Sequence, residues 1–321
     1  MKVNPAEAVQ LLNEHDNILI IAHAHPDGDT LGSSYALCRV LLSRGKRAAV
    51  ICEDNIPKMF SFMAAGLSEL DFEPEFIVAA DVAGTKLMGS HVMERYGDGV
   101  DLCIDHHFTN ELYAKNTLLD DTAAACAEIM LRLFKEMRTD ISPVVAECLY
   151  AGISTDTGCF RYPNLTSGTL RAAAELIDLG ADFARINKDC FETKSKSFVA
   201  LEKMALNNIE TYFGGLCAFI TITAEMLREC GSSAEEFDRI AALPRQIEDV
   251  LVGVTIREQS NGTFKASVRT NPPMNAADIC KRMNGGGHIG AAGCTLTGTA
   301  EDVRNTILRN VEDALKGEKK L

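Results

Sequence analysis

A chain of 321 residues, 46% of them hydrophobic, has enough apolar side chain for a large core and enough length for two domains. A formal charge of −13 argues against wrapping long duplex nucleic acid, which depends on lysines and arginines displacing counterions along many phosphates. No run of about 18 apolar residues suggests a membrane span, and the first residues lack the apolar stretch and cleavage site of a signal peptide, so a soluble, cytoplasmic protein is expected.

In chain order, residues 17–22, 47–52, 75–80 and 100–104 are short, almost wholly apolar runs that predict buried strands. Helical patterns at 30–43 and 87–95 lie between them, and this alternation predicts an α/β fold: a parallel sheet with helices on both faces. Further helices are predicted at 121–137, capped by Asp121 or Thr122; at 143–153, with Ser142 as N-cap before a first-turn proline; and at 166–179, stopping at Gly180.

Beyond Asn187 the texture becomes polar, which divides the chain into a catalytic domain (1–187), a linker with a connecting helix (188–209) and a smaller α+β domain (210–321). The polar stretch 188–196 is expected to act as a hinge. In the last third, residues 211–223 read as a strand pair interrupted by Gly214-Gly215, and 250–258 and 263–270 flank Ser260-Asn261-Gly262, a hairpin signal. Helices at 276–283 and 301–315 follow, then a frayed tail at 316–321.

Ligands of open parallel sheets gather beyond the carboxyl ends of the strands. The residues found there are His23, Asp27 and Asp29 after the first strand, Asp81 after the third, and Asp105-His106-His107 at the fourth, while the helix from Pro143 delivers Asp156. Taken singly, Asp81 or Asp156 reads as a turn or capping residue, and Pro26-Asp27-Gly28 as an ordinary turn. Taken together with His23 and the Asp-His-His run, they point to metal ligation. Oxygen and imidazole donors without thiolate suit Mn²⁺, Mg²⁺ or Fe²⁺. The eleven cysteines stand singly, with no C-x-x-C pair, and read as reduced, buried thiols; Cys103 is expected to point into the core.

Six candidate ligands, His23, Asp27, Asp29, Asp81, His106 and Asp156, exceed the need of one ion, so a pair sharing a bridging carboxylate is the economical arrangement. Water between two such ions is a nucleophile near neutral pH, which predicts phosphoester hydrolysis. His15, His25 and His91 read as surface residues. In the second domain Gly285-Gly286-Gly287-His288 can bring backbone N–H groups and an imidazole to an anion, and Arg269 can supply fixed positive charge for a terminal phosphate.

These motifs, HAHPDGDTLGS, Asp105-His106-His107, STDTGCF and GGGHIGAAG, resemble in order and spacing the DHH phosphoesterase superfamily, over nearly the whole chain. The arrangement looks like its stand-alone, NrnA-like branch of oligoribonucleases and 3′-phosphoadenosine 5′-phosphate phosphatases. The resemblance implies that His23 and Asp27 hold one manganese, that Asp29, His106 and Asp156 hold the other, and that Asp81 bridges. It further implies that His107 lies beside the site as a catalytic group and that Gly286, Gly287, His288 and Arg269 bind substrate. Asn284 departs from the pattern where many relatives carry another glycine. The implied substrates are short oligonucleotides or nucleotide phosphates. A hydrolase of cyclic dinucleotides or their linear products is the first alternative, a non-catalytic nucleotide sensor the second; the oligomeric state, homodimer included, stays open.

Overall fold

The computed structural model describes residues 1–231, 237, 239–259 and 261–320. These form two compact units, Met1–Thr193 and Lys194–Leu321.

The first unit opens with α1 (Pro5–Glu14), whose N-terminus is fixed by a capping box between Asn4 and Glu7 and by Pro5 in the first turn. Five strands follow, β1 (Ile18–Ile21), β2 (Ala48–Ile51), β3 (Phe76–Ala80), β4 (Leu102–Asp105) and β5 (Asn116–Leu119). They pair in parallel in the order β2-β1-β3-β4-β5. Their alternation divides the core. Ile18, Ile20, Val78, Ala80, Leu102 and Ile104 face α1, α2 (Gly28–Ser43), α5 (Cys126–Glu136), α6 (Pro143–Asp156), α7 (Ser167–Asp178) and α8 (Phe183–Asn187). Leu19, Ile21, Ala79 and Cys103 face Met88 and Val92, the latter on α4 (Ser90–Tyr96). Both faces are covered, as parallel sheets require. The short α3 (Ser61–Ala64) lies between β2 and β3 in the chain.

Two helices differ from expectation. The segment 87–95 is broken at Gly89, whose φ of 87° is left-handed, and α4 starts only after it, with Glu53 accepting from the amides of His91 and Val92. The helix expected from residue 121 begins at Cys126, so Asp121 and Thr122 do not cap it. Its first amides are taken by Asp29, 97 residues away in sequence, as described below.

Helices α2 and α6 cross without room for side chains. A Cβ on Gly32 would sit 2.3 Å from the backbone oxygen of Cys148, and one on Gly152 would sit 2.7 Å from Asp29 Oδ1. Backbone cannot yield as a side chain can. Gly32→Ala is therefore expected to destabilise by about 2–3 kcal/mol despite the better helix propensity of alanine. That corresponds to a melting transition lower by roughly 5–10 °C, which a thermal scan would register; an unchanged midpoint would refute the tight crossing.

The second unit starts with α9 (Lys196–Asn207), after a π-helical turn at Lys188–Glu192 that closes the first. Its six strands are β6 (Ile209–Tyr212), β7 (Cys217–Ile222), β8 (Val252–Glu258), β9 (Thr263–Thr270), β10 (Gly286–His288) and β11 (Ala291–Thr297). They are ordered β10-β11-β9-β8-β7-β6, with β7 and β8 parallel and the other pairs antiparallel. One face packs on α11 (Ala276–Lys281) and α12 (Ala300–Gly317) through Ile279, Val303, Ile307, Val311 and Leu315. The other packs on Phe198, Leu201 and Ala205 of α9. A short α10 (Ala224–Cys230) follows β7.

The β8–β9 hairpin forms with Gly262 left-handed at its turn, although Ser260 lies outside the described residues. The tail expected to fray from residue 316 is helical through Gly317, because Leu315 is buried on the sheet; Leu321 lies outside the described residues. Gly286–His288 of the GGGH segment form an edge strand, β10. All eleven cysteines are free thiols, and Cys103 is fully buried. Among the described residues no helix is long and apolar enough to cross a membrane.

Candidate active site

The chain leaves β1 for β2 on one side and leaves β3 for β4 on the other, so a crevice opens where these connections part, at the carboxyl ends of β1 and β3. His23 lies just past β1 and Asp81 is the first residue past β3. The Thr30 hydroxyl ties the two strand ends together, accepting from the His23 amide at 3.1 Å and donating to the Ala80 carbonyl at 2.9 Å. Asp81 is almost fully buried and has a left-handed φ of 62°, with its amide donating to Ile104 O at 2.9 Å. Non-glycine residues rarely adopt this conformation, and aspartate is among those that tolerate it.

The sequence-expected ligands converge. His23, Asp27 and Asp81 form one group able to hold a cation, Asp29, His106 and Asp156 a second, and Asp81, His106 and His107 a third, each with its donor atoms within 4.8 Å of one another. His23 Nε2 lies 3.7 Å from Asp27 Oδ1 and 3.8 Å from Asp81 Oδ2. His106 Nε2 lies 3.4 Å from Asp81 Oδ1, 3.3 Å from Asp156 Oδ2 and 3.8 Å from Asp29 Oδ2. Asp81 thus touches both sets.

The donors suit a divalent cation. His23 Nδ1 is 2.8 Å from the Ala24 carbonyl and His106 Nδ1 is 3.2 Å from that of Ala123. A carbonyl can only accept, so both Nδ1 atoms carry hydrogen, and a ring without a proton on Nε2 would turn that lone pair toward the carboxylates. Lone pairs facing anions repel unless a positive charge sits between them. Consistent with this, Asp81 Oδ1 and His106 Nε2 are both buried and lack a hydrogen-bond partner, a costly state that an ion would relieve.

Burial, with the mutual repulsion of Asp29, Asp27, Asp156 and Asp105, pushes the Asp81 carboxyl well above the usual carboxylate range. Asp29 is raised mainly by burial, and Asp156 is pushed up to about 7 by burial and by Asp29. Burial opposes charge on His23, but the nearby Asp27 carboxylate outweighs it and holds the imidazole above its ordinary value. Asp27 is itself held low: burial is outweighed by His23 and by the amides of Asp29 and Thr30, which it caps at the start of α2. The Asp27 side chain therefore both caps α2 and lies beside His23.

Three features escaped sequence reasoning. Asp29 is fully buried and accepts from Cys126 N at 2.6 Å and Ala127 N at 2.9 Å, so one candidate ligand also holds the N-terminus of α5. Asp105 accepts from the amides of His106 and His107, from His107 Nδ1 at 2.8 Å and from Asn110 Nδ2 at 2.5 Å. His107 Nδ1 is thereby committed to Asp105, leaving Nε2 as the ring's acceptor. Asn164 Nδ2 donates to the carbonyls of Ala124 and Asp156, bracing that corner. Asp105 had a visible signal as the charged end of an apolar strand, whereas Asn110 and Asn164 had none. His25 and His91 are exposed as expected; His15 is half-buried instead, stacked on Phe76 at 4.3 Å with Nδ1 on the Leu11 carbonyl.

In the second unit, the register aligns His288 on β10 with Ala291 on β11 and Ala291 with Arg269 on β9. Directly paired residues share a sheet face, so His288 and Arg269 stand in one row, about 10 Å apart across two strand spacings. A Cβ on Gly287 would strike Ala291 O at 2.6 Å, and one on Gly285 would strike Gly293 O at 2.3 Å, so strand pairing explains both glycines. Nothing lies within 4 Å of a Cβ built on Gly286, so packing does not explain that one.

Sequence comparison adds to this geometry. The DHH family N-terminal domain matches residues 17–153 and the DHHA1 domain matches residues 220–317. A bifunctional oligoribonuclease and PAP phosphatase NrnA of Thermus thermophilus is 32% identical over 287 residues, 88% of this chain and 84% of that protein. The chain belongs to the DHH family. A Bacillus subtilis relative of the same name is 26% identical over 317 residues, 97% of this chain and 98% of its own. The crystal structure of an exopolyphosphatase-related protein from Bacteroides fragilis matches with a TM-score of 0.87 at 26% identity, covering 96% of both chains. As a member of the DHH family the chain is a hydrolytic enzyme.

Proposed function

We propose that this enzyme hydrolyses phosphate esters of short oligonucleotides and nucleotides, 3′-phosphoadenosine 5′-phosphate among them. One observation carries the reading: the unpartnered, buried Asp81 Oδ1 and His106 Nε2 at the meeting point of the two ligand sets. His23, Asp27 and Asp81 would hold one divalent cation, and Asp29, His106 and Asp156, with Asp81, would hold the other. Manganese is the first choice, with Mg²⁺ and Fe²⁺ compatible with the same donors. Such a pair, when bound, supplies an activated water and neutralises charge on phosphoryl oxygens.

The chain's own residues orient the reaction. Ala24 and Ala123 carbonyls fix the tautomers of His23 and His106, and Asp105 fixes His107, whose Nε2 is then available to the substrate phosphate. In the second unit, the Arg269–His288 row, with Gly286 open to close approach, is suited to bind an anionic group such as a phosphate. The relatives named for oligoribonuclease and PAP phosphatase activity support this substrate class.

Asp105→Asn is expected to lower kcat about 10- to 100-fold through loss of His107 orientation, and to lower the melting temperature as well, because one of the two buried oxygens that His107 Nδ1 and Asn110 Nδ2 donate to becomes a donor itself; wild-type kinetics would remove the positioning role. The substrate reading is tested by incubating the Mn²⁺-loaded protein with two- to five-nucleotide RNAs, longer RNA, linear and cyclic dinucleotides and 3′-phosphoadenosine 5′-phosphate. The short linear species and the mononucleotide bisphosphate should be turned over fastest. Preference for long RNA or cyclic dinucleotides, or no turnover of any, would overturn it.

A further inference from the structure

Phe108 is the most exposed large hydrophobic side chain among the described residues, at 80%. Exposed apolar residues are common and usually mean nothing, but this one is displayed on a rigid mount. Asn110 N donates to His107 O at 3.0 Å, closing a tight turn with Phe108 at its second position. Asn110 Nδ2 is anchored on the buried Asp105, Asn110 Oδ1 accepts from Leu112 N at 2.8 Å, and Glu111 N donates to Ala83 O at 2.8 Å. A turn tied down on both sides does not need an exposed ring for its own stability.

Its neighbour is His107, whose Nδ1 lies 3.5 Å from Asp81 Oδ1, and consecutive Cα atoms are about 3.8 Å apart, so the turn that carries Phe108 stands beside the candidate ligand cluster. The other exposed aromatic rings are occupied within the chain: Phe183 packs edge-on against Tyr150, and the Tyr162 ring covers Gly158, where a Cβ would meet its carbon atoms at 2.3 Å. Phe108 has no ring neighbour among the described residues.

We infer that Phe108 is a base-stacking platform, taking the nucleobase attached to the phosphate that the cluster handles. The inference rests on the proposed function, since only a nucleotide substrate brings a base to this place. A flat apolar ring on a tethered backbone presents a π-face to any base with only two side-chain torsions left to order, and such stacking tolerates all bases. Phe108 therefore selects nucleotides over base-free phosphate esters without selecting among sequences.

The test compares diadenylate with the same dinucleotide backbone carrying abasic sugars, in Mn²⁺. Phe108→Ala should lower the ratio of kcat/KM for diadenylate over the abasic analogue by roughly 5- to 100-fold, the loss lying in KM, and Phe108→Trp should restore it. The chain contains no tryptophan, so Phe108→Trp also introduces a single reporter whose emission should fall when diadenylate is added but not when ribose 5-phosphate is. An unchanged ratio in Phe108→Ala, or no quenching at diadenylate concentrations well above KM, overturns the platform. If the wild-type protein turns over no nucleotide at all, the proposed function fails by itself, and the quenching titration with diadenylate, which requires no turnover, still decides whether a base stacks at Phe108.

Discussion

Asp81→Asn is expected to reduce turnover of short oligonucleotides by about 10³-fold or more in a protein that remains folded. Asparagine keeps the shape of the side chain and tolerates the left-handed φ of 62° that alanine would strain, so backbone geometry at the end of β3 should survive. What disappears is the negative charge that lies within 3.8 Å of His23 Nε2 and 3.4 Å of His106 Nε2. Bound divalent metal, measured on the purified protein after manganese loading and desalting, should drop by at least one ion per chain. The metal-free variant should also melt higher than metal-free wild type, because a buried carboxyl repelled by four neighbouring aspartates has been replaced by a neutral group. Wild-type turnover with an undiminished metal content would end the two-cation reading.

The strands of the first unit were legible because a parallel sheet buried on both faces leaves nearly continuous apolar runs, and each run stops at the residue that matters: Ala80 before Asp81, Ile104 before Asp105. The fifth strand was not legible. Asn116–Leu119 is half polar and only four residues long, and it is held in place by pairing with β4 more than by its composition. Composition also misdirects at GGGH, since glycine has poor strand propensity; antiparallel pairing of Gly286, Gly287 and His288 with Gly293, Ala292 and Ala291 imposes the extended form.

Within the site, residue types pointed to the side chains that converge but not to their supports. That Asp29 holds the amides of Cys126 and Ala127 depends on the close crossing of α2 and α6 and on where α5 begins, facts that no local window contains. Asp105 was in plain view as the first letter of the Asp-His-His run, yet its role is set by the turn that returns Asn110 to it.

Removing the metal should leave a protein that weakens as pH rises, opposite to the usual behaviour of acidic proteins. Asp29, Asp81 and Asp156 all have folded-state pKa values above those of an unfolded chain, near 4 for aspartate, and Asp156 is pushed up to about 7. A raised group favours the folded state fully below its unfolded pKa, and that advantage is lost as pH climbs through the folded value. His23, also raised, acts in the same direction at somewhat higher pH. The lowered carboxyls, such as Asp27, Asp105 and Asp120, have the opposite sign, but their window lies below about pH 4. Between about pH 5 and 8 the raised groups govern, so the melting temperature in chelator should fall across this range. A cation bound here would take the place of the protons that these carboxyls otherwise retain, so metal affinity should strengthen as the protons leave. At pH 8, manganese at about 100 times its dissociation constant should stabilise by about 2.7 kcal/mol, or roughly 5–10 °C in melting temperature. At pH 5 the same addition should do little. Asp156→Asn should flatten the slope in chelator, because it removes the group that titrates inside the window. A manganese-induced shift of equal size at both pH values would mean that the cation does not displace protons from these side chains, and that it binds elsewhere.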